Sequence, residues 1–149
     1  GMEREDRDCF ARLFSVLHFS ASKQAEIIEW CTDISRRDAA PLRHALLHPD
    51  VRAIVDALPA GNAAQAAERV RRCLRRQRFP RLVRRERHCA DILQRLRISD
   101  RVLVEPPPYF EGGEWRFVVK AACPADVQAA ADDIARLAGR SELAALFQE

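Results

Sequence analysis

The sequence contains no long hydrophobic run, and that absence removes several classes of protein from consideration. None of its apolar segments approaches the roughly 20 residues that a membrane-spanning helix needs. The N-terminal segment, GMEREDRDCF, is charged where a secretory signal peptide is apolar. The chain has 149 residues, of which 48% are hydrophobic and 32% charged, so it suits one packed domain or a domain with an appended module. We therefore expect a soluble, cytoplasmic protein that makes no contact with membranes.

Recognisable catalytic and cofactor-binding motifs are also missing. The sequence has no GxSxG, Walker loop, GxGxxG or HExxH pattern. Cys89 follows His88 directly, but adjacent side chains on a helix point about 100° apart, which does not favour a thiolate pair. Asp132 and Asp133 are adjacent on a predicted helix face and are interpreted as solvated charges. We expect neither enzymatic activity nor a cofactor.

Cysteine occurs in an odd number and at wide spacing, which argues against a disulfide framework or a zinc site. In a reducing compartment such residues are free thiols. They are Cys9, Cys31, Cys73, Cys89 and Cys123. His44 and His48 have a spacing that can bind zinc, but further ligands would have to come from Asp50 or Cys31. Histidines near a helix C-terminus are commonly favoured there by the helix dipole, so we expect no bound metal.

Positive charge is carried almost entirely by arginine and is concentrated in one part of the chain. Only two of the 25 basic residues, Lys23 and Lys120, are lysines. Residues 69–97 contain 12 arginines but only two acids, Glu86 and Asp91, which gives this segment a formal charge of +10. The rest of the chain has a formal charge of −7, and the whole chain +3. Such clustering indicates a surface for a polyanion or for an acidic protein.

Hydrophobic spacing predicts a helical bundle over roughly residues 8–58. The predicted helices cover 8–19, 20–38, 41–48 and 50–58. The segment PAGN that follows is the clearest break in this half of the chain, and Asn62 at its end can cap the next helix. We therefore expect two parts, 1–61 and 62–149, or alternatively one compact domain.

The second half is predicted to combine two basic helices with a β-hairpin covered by C-terminal helices. The predicted helices cover 63–78, 81–98, 124–138 and a short segment from Ser141, and the third is expected to cover the hairpin with Val127, Ala131, Ile134 and Leu137. Phe79-Pro80 separates the two basic helices, because proline disfavours helical geometry in the preceding residue. Alternating residues predict strands over 102–104 and 115–120, joined by EPPPYFEGGE, in which the glycine pair allows the chain to reverse. The predicted class is a mostly helical α+β fold.

Two consecutive basic helices would display nine arginines. Such a surface repels itself, and a polyanion would relieve the repulsion and release its own counterions. Guanidinium groups also bind phosphate in a bidentate manner. The predicted phosphate contacts are Arg71, Arg72, Arg75, Arg76, Arg78, Arg81, Arg84, Arg85 and Arg87. Pairing of these arginines with the acidic remainder of the chain is the alternative, and the sequence leaves both interpretations open.

The proline-rich loop before the second strand is a second candidate surface. Tyr109 and Phe110 lie between a stiff run of three prolines and a glycine pair. Two aromatic side chains held in such a loop are typical of anchors for a protein partner, including a second copy of the chain. The alternative is that both rings fold back and complete a small core.

Three segments of the chain are distinctive when taken together: LHFSASKQAEIIEWCTDIS, the basic RRQRFPRL and, most specifically, EPPPYFEG. Through them, residues 16–149 resemble the C-terminal region of bacterial ParB-like partition and nuclease-domain proteins. The resemblance implies association with DNA, self-association and a role in chromosome partition. The GExR-type motif of the ParB-like N-terminal domain is absent from this chain, so the resemblance implies no active site here.

These observations predict a non-catalytic, DNA-associated accessory domain that contacts the phosphate backbone without reading the base sequence. If six phosphates were neutralised, log affinity would fall against log salt with a slope of about −5. The alternative function is a protein-interaction or homodimerisation module, in which the basic face pairs with an acidic surface of a partner or of a second copy.

Overall fold

Residues 2–58 and 62–148 are described by a computed structural model. They form seven α-helices and one antiparallel sheet of two strands. The predicted class, a mostly helical α+β fold with a β-hairpin, is confirmed. Within these described ranges, no helix is long and apolar enough to cross a membrane.

The chain divides into two compact units, residues 1–80 and 81–149. The sequence placed the division near residue 61 instead, in a segment (59–61) that lies outside the described residues. The helix over Ala63–Arg78 accounts for the difference, because its apolar side packs into the core of the first unit. The two basic helices therefore belong to different units.

The first unit contains four α-helices: α1 (Arg4–Leu17), α2 (Ala21–Asp38), α3 (Pro49–Asp56) and α4 (Ala63–Arg78). Apolar residues at helical spacing meet to form its core. This core consists mainly of Phe10, Leu13, Leu17, Ile27, Cys31, Ile34, Val51, Ile54, Val70 and Leu74. Asn62 caps α4 as predicted, since its side-chain oxygen accepts from the amides of Ala64 at 2.8 Å and Gln65 at 3.3 Å.

The segment between α2 and α3 differs from the prediction of a helix over 41–48. Only Leu42–His44 is helical there, as a single 3-10 turn. His48 lies at the N-cap of α3 rather than near a helix C-terminus, and its Nδ1 accepts from the Asp50 amide at 3.2 Å. The physical reason is Pro49, which has no N–H to continue a preceding helix but suits the first turn of a new one.

Helices α2 and α4 run parallel and are joined by a row of ion pairs, which we call the α2–α4 ladder. Lys23 Nζ lies 2.6 Å from the Glu68 carboxylate. The other two pairs are Glu26 with Arg71 at 2.6 Å and Asp33 with Arg78 at 2.7 Å. In each pair the partners are 45 residues apart in sequence, so the two helices keep one register over the whole contact.

A buried carboxylate ties α1 to the chain that follows α2. Asp6 is 4% exposed. Its Oδ1 accepts from the backbone amide of Arg43 and from the guanidinium of the same residue, each at 3.0 Å. Glu3 and Glu5 contact that guanidinium as well. The buried charge is thereby both paired and hydrogen-bonded, which a carboxylate requires when it leaves water.

The second unit contains α5 (Pro80–Leu96) from Arg81 onward, β1 (Val102–Glu105), β2 (Arg116–Val119), α6 (Pro124–Ala138) and α7 (Ser141–Ala144). The strands pair antiparallel, with Val104 opposite Phe117. Strand β1 ends immediately before Pro106, as predicted, because a proline run cannot continue a ladder. The core of this unit consists of Cys89, Ile92, Leu96, Val102, Val104, Ala130, Leu137 and Leu146.

Helix α6 has the predicted bounds, and its predicted buried side is confirmed in part. Leu137 is buried and Ile134 packs against the core of this unit, as expected, whereas Val127 is 53% exposed, Ala131 is exposed too, and the buried alanine is Ala130. Two aspartates lie on the Ala130 side of the helix. Asp126 accepts from the backbone amides of residues 122 and 123, and Asp133 accepts from the hydroxyl of residue 99, so Asp133 is not the solvated charge that the sequence suggested.

All five cysteines are free, as predicted, but they differ in exposure. Cys31 and Cys89 are buried, and Cys123 is exposed. Burial raises the pKa of Cys31 to about 12, because a thiolate loses its hydration inside the core. Burial also raises the pKa of Cys89, so neither buried thiol is poised as a nucleophile.

The α2–α4 ladder predicts the outcome of a charge swap at Asp33 and Arg78. Asp33→Arg alone places two guanidinium groups side by side, and we expect it to lower the free energy of unfolding by about 1 kcal/mol. Adding Arg78→Asp recreates the pair in reverse and should restore at least half of that loss. Urea denaturation of the single and double variants measures both effects. Arg72→Asp on the exposed side of α4 is the control, and a double variant no more stable than Asp33→Arg would contradict the ladder.

Candidate nucleic-acid interface

The nine arginines predicted to bind phosphate are distributed over both units. Five lie on α4 in the first unit: Arg71, Arg72, Arg75, Arg76 and Arg78. Four lie on α5 in the second unit: Arg81, Arg84, Arg85 and Arg87. Their surroundings differ, and the two sets are described in turn.

Three of the α4 arginines are held by carboxylates of the first unit. Arg71 contacts Glu26 and also Glu68, at 2.6 and 3.1 Å. Arg76 lies 2.5 Å from the Asp50 carboxylate. Arg78 completes the set through its ladder pair with Asp33. For these three residues the alternative interpretation, pairing with the acidic part of the chain, is confirmed.

Aromatic rings add to the restraint on the ladder arginines. The Arg71 guanidinium carbon lies 5.9 Å from the Trp30 ring centre, and that of Arg78 lies 4.6 Å from the Phe79 ring centre. The two rings also contact each other edge to face, with centres 6.3 Å apart. Hydrogen bonds to Glu26 raise the pKa of Arg71 above its ordinary value. Releasing either guanidinium to a ligand would sacrifice an ion pair and a cation–π contact together.

The remaining α4 arginines are intermediate cases. Arg75 is half-buried and is not free. Arg72 is exposed, and no ion pair or hydrogen bond of its guanidinium is found within residues 2–58 and 62–148. The same holds for Arg69, one turn before it.

Helix α5 carries three exposed arginines that have no partner among residues 2–58 and 62–148. The guanidinium groups of Arg81, Arg84 and Arg87 make no ion pair or hydrogen bond anywhere in the described part of the chain. We call them the free α5 arginines. Successive members are three residues apart, which spaces them by about 4.5 Å along the helix axis. Further along, Arg95 donates from Nε to the Asp91 backbone carbonyl at 3.3 Å rather than to its carboxylate.

Arg85 faces the other way, toward the core of the second unit. It is half-buried, and its guanidinium carbon lies 5.8 Å from the centre of the Phe110 ring. Its Nε is buried and has no hydrogen-bond partner among the described residues. Arg85 therefore holds the proline-rich loop against α5, and it is not part of the exposed set.

The two aromatic residues of that loop behave differently from each other. Phe110 folds back, and its ring contacts Trp115 at 6.1 Å between centres, while Trp115 contacts Phe147 at 5.8 Å. Tyr109 does not fold back and is 78% exposed. The core interpretation is thus confirmed for Phe110 and is wrong for Tyr109.

The backbone at this point is strained. Tyr109 and Phe110 have φ angles of 56° and 59°, so two successive non-glycine residues are left-handed. Each such residue costs about 1 to 2 kcal/mol relative to ordinary geometry. Hydrogen bonds from the amides of Phe110 and Glu111 to the carbonyls of Pro107 and Pro108, at 2.9 and 3.0 Å, fix the turn.

The two histidines considered as zinc ligands, His44 and His48, do not form a metal site with other side chains in the described residues. His44 is exposed, His48 caps α3, and no group of three or more metal-ligating side chains is found in the described ranges of the chain.

The α2–α4 ladder was not predicted, although its signal is in the sequence. Each charged residue of α2 in the ladder has a residue of opposite charge 45 positions later in the sequence. The pairs are Lys23 with Glu68, Glu26 with Arg71 and Asp33 with Arg78.

No model of a known protein family matches this chain, and no curated protein or solved structure matches it either. The resemblance to ParB-like proteins therefore stays a prediction.

The two sets of arginines predict a large and a small effect of charge reversal on stability. We expect Arg71→Glu with Arg78→Glu to lower the free energy of unfolding by about 2 to 3 kcal/mol, because each change sets like charges against each other. Arg84→Glu with Arg87→Glu changes the net charge equally, yet should alter stability by less than about 0.5 kcal/mol. Urea denaturation compares the two variants directly. Equal losses would show that the division into paired and free arginines is wrong.

Proposed function

We propose that this chain is a non-catalytic, DNA-associated domain that holds phosphate groups with the free α5 arginines. The observation that carries the proposal is the absence of any ion pair or hydrogen bond on three neighbouring exposed guanidinium groups within the described residues. Such groups keep all their donors available to a ligand. The five free cysteines support a reducing compartment, such as the cytoplasm, as the setting of this function.

The physical basis of binding is electrostatic. Arg81, Arg84 and Arg87 repel one another on one helix, and a phosphate chain removes that repulsion while it releases its counterions. Each guanidinium can grip a phosphate through two parallel hydrogen bonds. Contacts of this kind fix the position of the nucleic acid but carry no base sequence information.

The same argument removes most of the α4 arginines from the proposed interface. Arg71, Arg76 and Arg78 already have carboxylate partners, and binding DNA would exchange one ion pair for another with little gain. Of the nine arginines expected from the sequence, Arg72 on α4 and the free α5 arginines remain without a partner in the described residues, and the proposal assigns the phosphate contacts to the three that lie together on α5. The salt dependence should be correspondingly shallow.

The resemblance to ParB-like proteins supports DNA as the polyanion and chromosome partition as the setting.

The alternative function, docking of a protein partner or a second copy, is favoured by a different observation. On the outer face of the hairpin, Leu103 lies opposite Val118, and these side chains are 43% and 39% exposed. Sedimentation of the free protein across a range of concentrations tests that alternative separately.

Anisotropy of a labelled oligonucleotide at several salt concentrations tests the proposal. Neutralisation of three phosphates predicts a slope of log affinity against log salt of about −3 for duplex, and of about −2 for a single strand. Arg84→Glu with Arg87→Glu should abolish most of the binding, because it replaces two attractive contacts with two repulsive ones.

The control is Arg4→Glu with Arg7→Glu. These residues are exposed, make no ion pair in the described part of the chain and stand among the acids of α1, so their reversal changes the net charge equally. If this control loses as much affinity as the α5 variant, the loss is due to net charge alone and not to the position of the α5 arginines. A binding affinity that does not change with salt concentration would contradict the proposal.

A further inference from the structure

Tyr109 is an exposed aromatic ring on a turn that is otherwise tightly fixed. It is 78% exposed, whereas two nearby residues of the loop pack inward: Pro107 is buried, and Phe110 rests against Trp115. An apolar ring left in water forgoes the stabilisation that burial would bring. The left-handed backbone that projects it is itself unfavourable, and strain of this kind is concentrated at functional sites.

The turn that carries Tyr109 is attached to the basic helix. Arg85 on α5 reaches the Phe110 ring, and Phe110 is the next residue after Tyr109. Arg81 precedes Arg85 by about one helical turn, and Arg84 precedes it by one residue. Two of the free α5 arginines are therefore near Arg85 along the helix. The second unit thus holds an exposed aromatic ring on a turn whose next residue contacts α5, the helix that carries the free α5 arginines.

This combination is the one used to bind unpaired nucleotides. A groove or stripe of positive charge follows the phosphates, and an aromatic ring stacks on a base. In a duplex the faces of the bases are already stacked on one another and are not available to a ring. Glu111 and Glu114 follow Tyr109 in the loop and repel phosphate, so the strand's phosphates are expected over α5 and only a base over the ring.

We propose that the nucleic acid bound by this chain is single-stranded, with an unpaired base stacked on Tyr109 and its neighbouring phosphates held by the free α5 arginines. The inference rests on the proposed function and specifies its ligand. It also gives the strained turn a role, since a ring buried in the core would be unable to meet a base.

Substitution of Tyr109 tests the stacking. Tyr109→Ala should weaken binding of labelled oligothymidine about ten-fold or more, and leave binding of a duplex of equal length unchanged. Tyr109→Phe keeps the ring and should bind oligothymidine like the unchanged protein. Oligouridine measured alongside shows whether the strand is DNA or RNA. Thermal unfolding of each variant checks that the fold persists, as expected for an exposed side chain.

A spectroscopic signal locates the base directly. Tyr109 is the only tyrosine in the sequence, so incorporation of 3-fluorotyrosine gives one fluorine resonance. We expect that resonance to shift on addition of oligothymidine and to stay in place on addition of duplex.

The outcomes separate the two proposals. If Tyr109→Ala binds oligothymidine as well as the unchanged protein while Arg84→Glu with Arg87→Glu does not, phosphate binding stands and the stacking role is overturned. If neither strand form binds at low salt, the proposed function fails and the inference falls with it. If Tyr109→Ala changes the sedimentation of the free protein and not its binding of DNA, the ring is a protein contact.

Discussion

The parallel packing of α2 on α4 is the constraint on which the first unit depends. Parallel neighbours cannot be joined by a short turn, so the chain between them has to cross the unit, and it does so through the 3-10 turn and α3. The fixed offset of 45 residues keeps the ion pairs in one register. Beside them, Ile27, Cys31 and Ile34 of α2 and Val70 and Leu74 of α4 are buried in the same core. Charge and apolar packing thus favour the same alignment, and such agreement between interactions is typical of a sequence that specifies one structure.

This alignment also decides which arginines are available for function. A basic run that is continuous in sequence is divided by Phe79-Pro80, and the two helices on either side of it have different surroundings. On α4, opposite charges from α2 and α3 occupy three guanidinium groups. On α5, the only arginine that turns inward does so toward an aromatic ring, and three others remain exposed without a partner in the described residues. The density of arginine in the sequence therefore overstates the charge that a ligand meets.

Local features were predictable from the sequence, and long-range pairings were not. The Asn62 cap, the break at Pro80, the end of β1 before Pro106 and the bounds of α6 each depend on a few adjacent residues. On α6, periodicity identified Ile134 and Leu137 on the buried side but counted the aspartates as solvent-facing, whereas Asp126 and Asp133 accept hydrogen bonds from preceding or distant groups. Tyr109 is exposed and Phe110 packs inward because of their φ angles and the contact of Phe110 with Arg85. The spacing of residues in the sequence does not predict either feature.

The central claim is that the ladder arginines are structural and that the free α5 arginines meet the nucleic acid. Nε–Hε correlation spectra of the arginine side chains test it most directly, because Nε of Arg71 and of Arg78 donates to a carboxylate, at 2.9 and 2.7 Å. The account predicts that these two signals are protected from exchange with water and unchanged by oligothymidine, while those of Arg84 and Arg87 shift. Shifts at Arg71 and Arg78 with none at Arg84 and Arg87 would contradict it.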